Sequence, residues 1–446
     1  MRDESFQPPI VDLFKYLHSI RSISTYRIKG RVVELTGLVV KAIVPGVHVG
    51  ELCYIQPFQK KEPIKAEVVG FKEETVLLMP LGDLEGIGPG NDVLPTSSCL
   101  KVRVGDGLLG RILNGLGDPM DVDVHGPLPC DEEYPVHASP PDPLTRRRIT
   151  QPLSVGVRSI DAVLTCGEGQ RVGLFAAAGV GKSTLLGMLA RNSEAEVNVI
   201  CLVGERGREV RDFLEQDLGA EGLKRSVVIV STSDQPSLVR SKAAYVATAI
   251  AEYFRDQGKR VIFMMDSITR FARALREIGL AVGEPPARQG FTPSVFSTLP
   301  KLLERTGNSD KGSITAFYTV LVEGDDMTEP VADEVRSILD GHIILSRDLA
   351  NRNHFPAINV SESVSRVMSN IVERDHLDAA RKLKEVVANY EKERDLILIG
   401  AYESGSNPGV DYAIEKIEDV NQFLKQGITE KFTFDEAREG LLALFE

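Results

Sequence analysis

One stretch decides the fold of this 446-residue chain: Ala176-Ala177-Ala178-Gly179-Val180-Gly181-Lys182-Ser183-Thr184. An apolar run from Val172 to Phe175 precedes it and predicts a buried strand, and apolar residues with helical spacing follow from Leu185. A strand, a loop of small residues and a helix start are the context of a phosphate-binding loop, because small residues let backbone N–H groups and the helix N-terminus face a phosphate. The stretch therefore predicts a nucleoside triphosphate site.

Two side chains of this loop carry the expected chemistry. Lys182 would reach the β- and γ-phosphates as a point charge, and the Ser183 hydroxyl would complete the ligand shell of Mg²⁺. Ala176, which is still small, holds the first glycine position of the pattern G-x-x-x-x-G-K-[ST]. The alternative is a glycine-rich turn that binds nothing, and the placement between strand and helix argues against it. We expect nucleotide contacts from Ala178, Gly179, Val180, Gly181, Lys182, Ser183 and Thr184.

Composition and charge limit the class of protein. The chain is 42% hydrophobic and 26% charged, as is typical of a globular protein. The net charge of -12 argues against general nucleic-acid binding, although a local basic stripe stays possible. Five scattered cysteines without a C-x-x-C pair indicate reduced thiols and no zinc site. No apolar run is long enough to span a bilayer and no signal-peptide core opens the chain, so we expect a cytoplasmic protein.

The residue pattern in the first part of the chain changes from helical to β-type near residue 29. Residues 1–28 form an N-terminal segment in which residues 8–20 carry an apolar stripe at helical spacing. This stripe indicates either a core-packed helix or a docking helix for a partner. Residues 29–96 show short β-type runs separated by Gly and Pro, which predicts a small closed β-barrel because closure removes exposed strand edges.

The rest of the chain divides near residue 346. Residues 97–346 begin with a lead-in over 105–150 that is predicted to hold little regular structure. Apolar strands then alternate with amphipathic helices, which predicts an open α/β sheet with its ligands at the carboxyl ends of the strands. Residues 347–446 lose the strand signal and predict a helical domain. We expect six strands in the α/β region: Val172–Ala176, Val197–Val203, Val227–Val230, Val261–Met265, Ile314–Val322 and His342–Leu345.

Two acidic residues follow apolar strands of this region. Glu205 comes just after the strand that ends at Val203, where a carboxylate can orient or deprotonate an attacking water. The alternative for Glu205 is a solvated or capping charge at the start of the next helix. Asp266 ends the strand from Val261 and is in the usual place for the carboxylate that supports Mg²⁺ in P-loop enzymes.

Several longer motifs resemble the type III secretion ATPase family, which powers injectisome and flagellar protein export and is similar to the catalytic subunit of F-type ATP synthases. The resemblance runs from about Gly30 to Phe423. The motifs that carry it are Gly204–Glu209, Met265–Arg270, Pro293–Arg305, Asp333–Ile343 and Val364–Val367. The family implies a RecA-like P-loop NTPase core, with an N-terminal small β-barrel and a C-terminal helical domain. It also implies a homohexamer that places its ATP sites between subunits.

The resemblance assigns roles to particular residues. Lys182 binds phosphate, Ser183 and Asp266 hold Mg²⁺, Glu205 activates water, Arg206 sits nearby, and Arg366 serves the neighbour's site as an arginine finger. The sequence alone favours a surface arginine at position 366, and only the resemblance assigns it the finger role.

The resemblance also bears on the adenine. Phe355 would pack on the ring, with plain core packing as the alternative. A second aromatic is expected near the C-terminus, but Ile428 follows Gln426-Gly427 where an aromatic would be sought.

The leading hypothesis is an ATP-hydrolysing hexameric motor that releases chaperones from export substrates and unfolds them. Its implied partners are stator-like and central-stalk-like proteins, chaperone–substrate complexes and the export gate, at the cytoplasmic side of the inner membrane. No nucleic-acid partner is expected. Glu334–Ser337 looks more like injectisome members, whereas Gly324–Met327 and Gly400–Gly405 look more flagellar, so the system stays open.

Two other functions compete with this hypothesis. A rotary ATP synthase subunit is the first, but Leu299–Arg305 and Asp333–Ile343 fit the export family better. A hexameric nucleic-acid translocase is the second, and it requires exposed aromatics among basic residues in its first domain. The barrel region offers Tyr54, Phe58 and Phe71 without a clear basic cluster around them.

Overall fold

The computed structural model describes residues 28–58, 62–322 and 327–446. The proposed docking stripe at residues 8–20 lies outside these ranges, as does most of the Gly324–Met327 motif. The chain divides into two compact units, one that ends at Ser98 and one that begins at Cys99. Among the described residues, no helix combines the length and the apolar character needed to cross a bilayer.

The first unit contains a closed six-stranded barrel, as the sequence predicts. Its strands pair in the order β1-β2-β5-β4-β3-β6, with β6 returning to β1. Alternate residues of β3 point inward, so that Cys53 and Ile55 meet Val40 and Leu78 in a water-free interior. The strands are β1 Gly30–Thr36, β2 Val39–Ile43, β3 Glu51–Gln56, β4 Ile64–Lys72, β5 Thr75–Pro80 and β6 Asp92–Cys99.

The second unit is built on a mostly parallel sheet in the order β17-β16-β10-β15-β13-β11-β12-β8. Strand β17 at one edge runs antiparallel to β16, and β14 pairs antiparallel with β15 off the main path. Strands β7 and β9 form a separate antiparallel pair. The strands are β7 Lys101–Val104, β8 Ile112–Asn114, β9 Glu132–Pro135, β10 Arg171–Ala176, β11 Val197–Val203, β12 Ser226–Ser231, β13 Arg260–Asp266, β14 Gly307–Asn308, β15 Ser313–Leu321, β16 Gly341–Leu345 and β17 Val364–Ser365.

All six strands predicted for this region are present, but the expectation for residues 105–150 is partly wrong. Within that lead-in, β8 extends the sheet beyond β12 and β9 pairs with β7. Strand β8 has only three residues, too few for an alternation to be visible in the sequence. It is fixed instead by the Asp121 carboxylate, which accepts from the Ile112 backbone N–H at 3.0 Å and pairs with Arg111 at 2.8 Å.

Helices cover both faces of the sheet and make up the C-terminal part of the chain, as predicted. They are α1 Val122–His125, α2 Arg158–Val163, α3 Lys182–Asn192, α4 Gly207–Asp212, α5 Gly219–Lys224, α6 Ser237–Asp256, α7 Ile268–Ala281, α8 Pro293–Leu303, α9 Pro330–Ile338, α10 Arg347–Asn351, α11 Met368–Ile371, α12 Arg374–Leu398, α13 Pro408–Leu424 and α14 Phe434–Ala443. A π-helical segment, Phe213–Leu218, joins α4 to α5.

The central strands are apolar throughout because each faces a core on both sides. In β13, Phe263 and Met265 join one hydrophobic cluster, whereas Ile262 and Met264 join the cluster on the opposite face. The register aligns Leu202 of β11 with Asp266 of β13. The ends of these strands, and of β10 before the phosphate loop, therefore meet at one edge of the sheet.

Candidate nucleotide site

The loop between β10 and α3 has the backbone that a phosphate cradle requires. Gly179 and Gly181 adopt φ values of 82° and 87°, a left-handed conformation that costs glycine little and other residues much more. A Cβ placed on Gly179 would meet nothing within 4 Å, so this turn borders open space. Helix α3 begins at Lys182. The free N–H groups of its first turn provide favourable partners for an anion.

Lys182 lies between the two predicted carboxylates. Its Nζ atom contacts Oδ1 of Asp266 and is 3.6 Å from Oε1 of Glu205. All three side chains are largely shielded from water. The structure thus gathers the loop lysine and both strand-terminal acids into one cluster at the carboxyl edge of the sheet.

The Asp266 carboxylate has a fixed orientation. Thr319 of the neighbouring strand β15 donates its hydroxyl hydrogen bond to Asp266 Oδ1 at 2.8 Å. The same hydroxyl is 3.2 Å from the backbone oxygen of Met265. The sequence assigns no role to Thr319, which is one of several hydroxyl residues on this strand and carries no distinguishing local signal.

Glu205 has the environment of a general base. Burial, followed by the charge of Asp266, raises the pKa of the Glu205 carboxyl to about 7, and the positive charge of Lys182 opposes this increase. Its Oε1 atom is buried and accepts no hydrogen bond from the described residues. A buried carboxylate that has one oxygen without a hydrogen bond, and a pKa near neutrality, is well suited to accept a proton from water.

Arg270 completes the cluster and had no assigned role in the sequence. Its Nη2 atom is 3.3 Å from Oε2 of Glu205, and its Nη1 atom donates to the backbone oxygen of Gly204. Arg270 therefore holds both the Glu205 side chain and the strand end that carries it. Arg270 lies in the first turn of α7 and meets Glu205 from a different strand end, so no local spacing in the sequence pointed to this contact.

Arg206 is adjacent to the cluster in the chain but directs its guanidinium to solvent. The side chain is exposed and pairs at 3.5 Å with Glu209, in the first turn of α4. The described contacts of Arg206 do not include Lys182, Glu205 or Asp266.

Arg366 lies near the amino ends of the parallel strands, whereas the phosphate loop of its own chain lies at their carboxyl ends. Arg366 follows Ser365 of β17, which pairs with Gly341, the first residue of β16. Strand β16 runs parallel to β10, so its first residue lies at the end of the strands remote from the loop, about 13 Å from the start of the loop at 3.3 Å per residue. The Arg366 guanidinium is exposed and donates to the Arg336 backbone oxygen at 3.4 Å. Arg366 therefore cannot serve the site of its own chain in this arrangement.

A cavity of about 400 Å³ lies beside the phosphate loop. Its lining residues are Asn353, Phe355, Lys425, Gln426, Gly427 and Glu430. The Phe355 side chain is 40% exposed, which does not fit the core-packing alternative, and a Cβ on Gly181 would lie 3.7 Å from its ring. Ile428 is exposed and does not line the cavity. The wall opposite the ring is formed by the Gln426 segment rather than by a second aromatic.

Gln426 fixes this wall to the rest of the site. Its backbone N–H donates to the Phe355 oxygen at 2.9 Å. Its side chain donates to the Gly156 oxygen at 2.9 Å and accepts from the Arg158 N–H at 2.8 Å. The C-terminal helical region is thereby joined to both the Phe355 loop and the start of α2.

The donor atoms present suit a magnesium–nucleotide complex. Ser183 and Asp266 offer the hydroxyl and carboxylate oxygens that Mg²⁺ prefers. The described residues contain no cluster of three or more His, Cys, Asp or Glu able to cage a metal ion. Few protein ligands are expected here, because Mg²⁺ normally takes its remaining ligands from substrate phosphates and water.

Two features together define a P-loop nucleoside triphosphatase. One is a glycine-rich loop at the carboxyl edge of a parallel sheet, and the other is a pair of buried acids at the ends of β11 and β13, which neighbour each other in that sheet. Models of known families match three parts of the chain. The nucleotide-binding domain of the ATP synthase alpha/beta family matches residues 156–365, and the beta-barrel domain of that family matches residues 32–97. The C-terminal domain of the type III secretion ATPase EscN matches residues 372–443.

Similar proteins include the flagellum-specific ATP synthase of Bacillus subtilis, 55% identical over 95% of this chain and 97% of that protein. The type 3 secretion system ATPase of Xanthomonas euvesicatoria is 51% identical over 95% and 96%. The assembled ATPase EscN of enteropathogenic Escherichia coli has a TM-score of 0.87 and 47% identity, covering 93% of this chain and 99% of that one. The chain belongs to the family of type III secretion and flagellar export ATPases. It is an ATPase, and neither the rotary synthase subunit nor the nucleic-acid translocase is favoured.

Proposed function

We propose that this chain works as a homohexameric motor of a type III protein export apparatus, with each ATP site shared by two neighbouring subunits. The observation that carries the proposal is the position of Arg366 at the sheet edge remote from its own phosphate loop. An arginine in that position can reach a triphosphate only on another subunit. The assembled form of the similar ATPase EscN supports the oligomer.

Within one site, each side chain has a distinct task. Lys182 leaves Asp266 to bind the phosphates, and Glu205 accepts the proton of the attacking water while Arg270 keeps the carboxylate in place. Ser183 and Asp266 would hold Mg²⁺, which would supply charge neutralisation on the triphosphate. Arg366 of the neighbouring subunit stabilises the charge that develops on the transferred phosphoryl group. Phe355 packs against the adenine.

The export role extends to partners. EscN, 47% identical to this chain, has been solved in complex with its central stalk EscO, which supports a stalk-like partner here. We infer further contacts with a stator-like protein, with chaperone–substrate complexes and with the export gate, at the cytoplasmic side of the inner membrane. The net charge of -12 supports the absence of a nucleic-acid partner. ATP hydrolysis would drive release of chaperones and unfolding of substrates.

The proposed division of labour follows the chain. Residues 1–28 dock the stator, 29–96 form the barrel, 97–346 form the ATPase domain and 347–446 form the helical domain. Deletion of residues 8–20 should abolish stator capture in a pull-down while leaving ATPase activity intact. Capture at the wild-type level would contradict the docking role.

The shared site is tested by ATPase activity as a function of protein concentration, with the assembly mass measured in parallel. Specific activity should rise as hexamers form, because a lone subunit lacks the neighbour's arginine. Full specific activity in a sample that contains only monomers would contradict the proposal.

A further inference from the structure

One lysine of the long C-terminal helix α12 reaches the segment that carries Arg366. The Nζ atom of Lys384 donates to the backbone oxygen of Ser363 at 2.9 Å. The amine is largely enclosed by protein, and this burial lowers the pKa of Lys384 to about 8. A buried, charged lysine costs free energy, so its position calls for a specific reason.

Ser363 is anchored by hydrogen bonds to strand β16 of the parallel sheet and to the loop before it. Its hydroxyl accepts from the Ile344 N–H of β16 at 2.9 Å and donates to the Asn359 oxygen at 2.6 Å. Its side chain is fully buried. The Lys384 contact therefore joins the C-terminal helix to the edge strand of the sheet, three residues before Arg366.

The backbone from Ser363 to Arg366 is held, whereas the arginine side chain is not. The Ser365 hydroxyl donates to the Thr165 oxygen at 2.8 Å, and the Arg366 N–H donates to the Asp340 oxygen at 3.0 Å. Beyond this anchored backbone, the guanidinium makes a long hydrogen bond of 3.4 Å to the Arg336 backbone oxygen. With one long hydrogen bond to a neutral oxygen, the guanidinium has a direction that is sensitive to the charges around the segment.

Lys384 is one of those charges. Arg336, Arg366 and Lys384 all lie close enough to His342 to help burial lower the pKa of that imidazole. Lys384 and Arg366 are like charges near the same imidazole, so the Arg366 guanidinium is disfavoured from turning towards Lys384. A neutral donor such as glutamine could make the same hydrogen bond to the Ser363 oxygen without repelling Arg366. The positive charge of Lys384 therefore indicates a role beyond this hydrogen bond.

We propose that Lys384 is a positioning residue that directs Arg366 outward, towards the ATP site of the neighbouring subunit, and that it links this arginine to the C-terminal helical region. The inference rests on the proposed function, in which Arg366 acts across the subunit interface. A movement of α12 would then change the direction of the arginine and with it the rate of hydrolysis on the next subunit.

The test is a double-mutant cycle on kcat with Lys384→Met and Arg366→Ala. Lys384→Met should lower kcat by about tenfold or more, as expected when a charge-stabilising group is misplaced, with the KM for ATP changed less than about twofold. Adding Lys384→Met to Arg366→Ala should cause no further loss, because the group that it positions is already absent. An equal fold loss in both backgrounds would overturn the proposal.

Two further variants separate positioning from general stability. Lys384→Arg keeps the charge and a donor, and should restore most of the wild-type kcat, whereas Lys384→Gln should not, even if its thermal midpoint equals that of the wild type. Lys382→Met is the matched control on the same helix, because Lys382 packs over the rings of Tyr412 and Phe445 instead, and its kcat should stay at the wild-type level.

The two proposals fail in different ways. Wild-type kcat in Arg366→Ala within a confirmed oligomer would contradict the shared site itself. A large loss in Arg366→Ala together with wild-type kcat in both Lys384→Met and Lys384→Gln would contradict only the role of Lys384.

Discussion

The Nζ atom of Lys182 lies 3.6 Å from Oε1 of Glu205, while the same lysine contacts Asp266 on the next strand end. One lysine thus lies between two buried acids, and Arg270 supplies a second positive charge beside Glu205. A triphosphate that attracts Lys182 towards its phosphates leaves Glu205 with Arg270 as its cationic neighbour. Under the proposed function, this single side chain couples nucleotide binding to the activation of the base.

Replacement of Glu205 by Gln should remove the general base while keeping the size of the side chain. We expect kcat to fall by about 10²–10⁴-fold, with the affinity for nucleotide nearly unchanged. Phosphate release and titration with a fluorescent ATP analogue measure the two quantities. Glu215→Gln is the control, because Glu215 pairs with exposed Arg211 in α4. Wild-type turnover in Glu205→Gln would refute the assigned role.

The pH dependence of kcat/KM should report the ionisation of Glu205. Its pKa is raised from 4.5 to about 7, and the base must be deprotonated to act, so kcat/KM should rise with pH up to about 7 and then level off. Arg270 lowers the pKa of this carboxyl, so Arg270→Gln should move the midpoint to higher pH. A midpoint that stays in place, or moves to lower pH, would contradict the contact between Arg270 and Glu205.

Thr319→Val should weaken the use of magnesium by the enzyme. Valine has nearly the shape of threonine but cannot donate to Asp266, so the carboxylate loses its fixed orientation. The Mg²⁺ concentration for half-maximal ATPase activity should increase by about tenfold or more. Thr315→Val is the control, since Thr315 lies on the same strand and accepts from the Gly169 N–H instead. Equal Mg²⁺ curves for both variants would contradict this role of Thr319.

Mixed assemblies should reveal whether Arg366 acts between subunits. Arg366→Ala alone should lose about 10³–10⁵-fold in rate, and Lys182→Ala alone should bind phosphate too weakly to turn over. Mixing the two variants should restore part of the activity, because some interfaces then combine an intact loop with an intact arginine. Mass measurement must confirm that mixed oligomers form. No recovery in such oligomers would contradict the action of Arg366 in trans.

Phe355→Ala should raise the KM for ATP more than it lowers kcat. The ring borders the cavity beside Gly181, and loss of base stacking costs about 1–3 kcal/mol. Phe355→Tyr keeps a stacking face and should retain most of the affinity. Phe58→Ala, which removes an exposed ring from the barrel, is the control. An unchanged KM in Phe355→Ala would remove this residue from the adenine site.

Much of the site was predictable from local sequence. The phosphate loop depends on small residues with particular backbone conformations. The placement of Glu205 and Asp266 depends on apolar strands, one with an acid two residues beyond its end and one that ends in an acid. Each of these features extends over a few consecutive residues, so each could be predicted from one short stretch of sequence. The barrel and the helical C-terminal region follow in the same way from residue spacing.

The tertiary structure alone decided which distant side chains meet. Thr319 reaches Asp266 from another strand, and Gln426 reaches Phe355 from the C-terminal region. The antiparallel pairing of β17 with β16 carries Arg366 to the far edge of the sheet, which makes it unavailable to its own chain. The physical reason is that strand order and direction come from the packing of the whole chain, and sequence periodicity reports only which face of each element is buried.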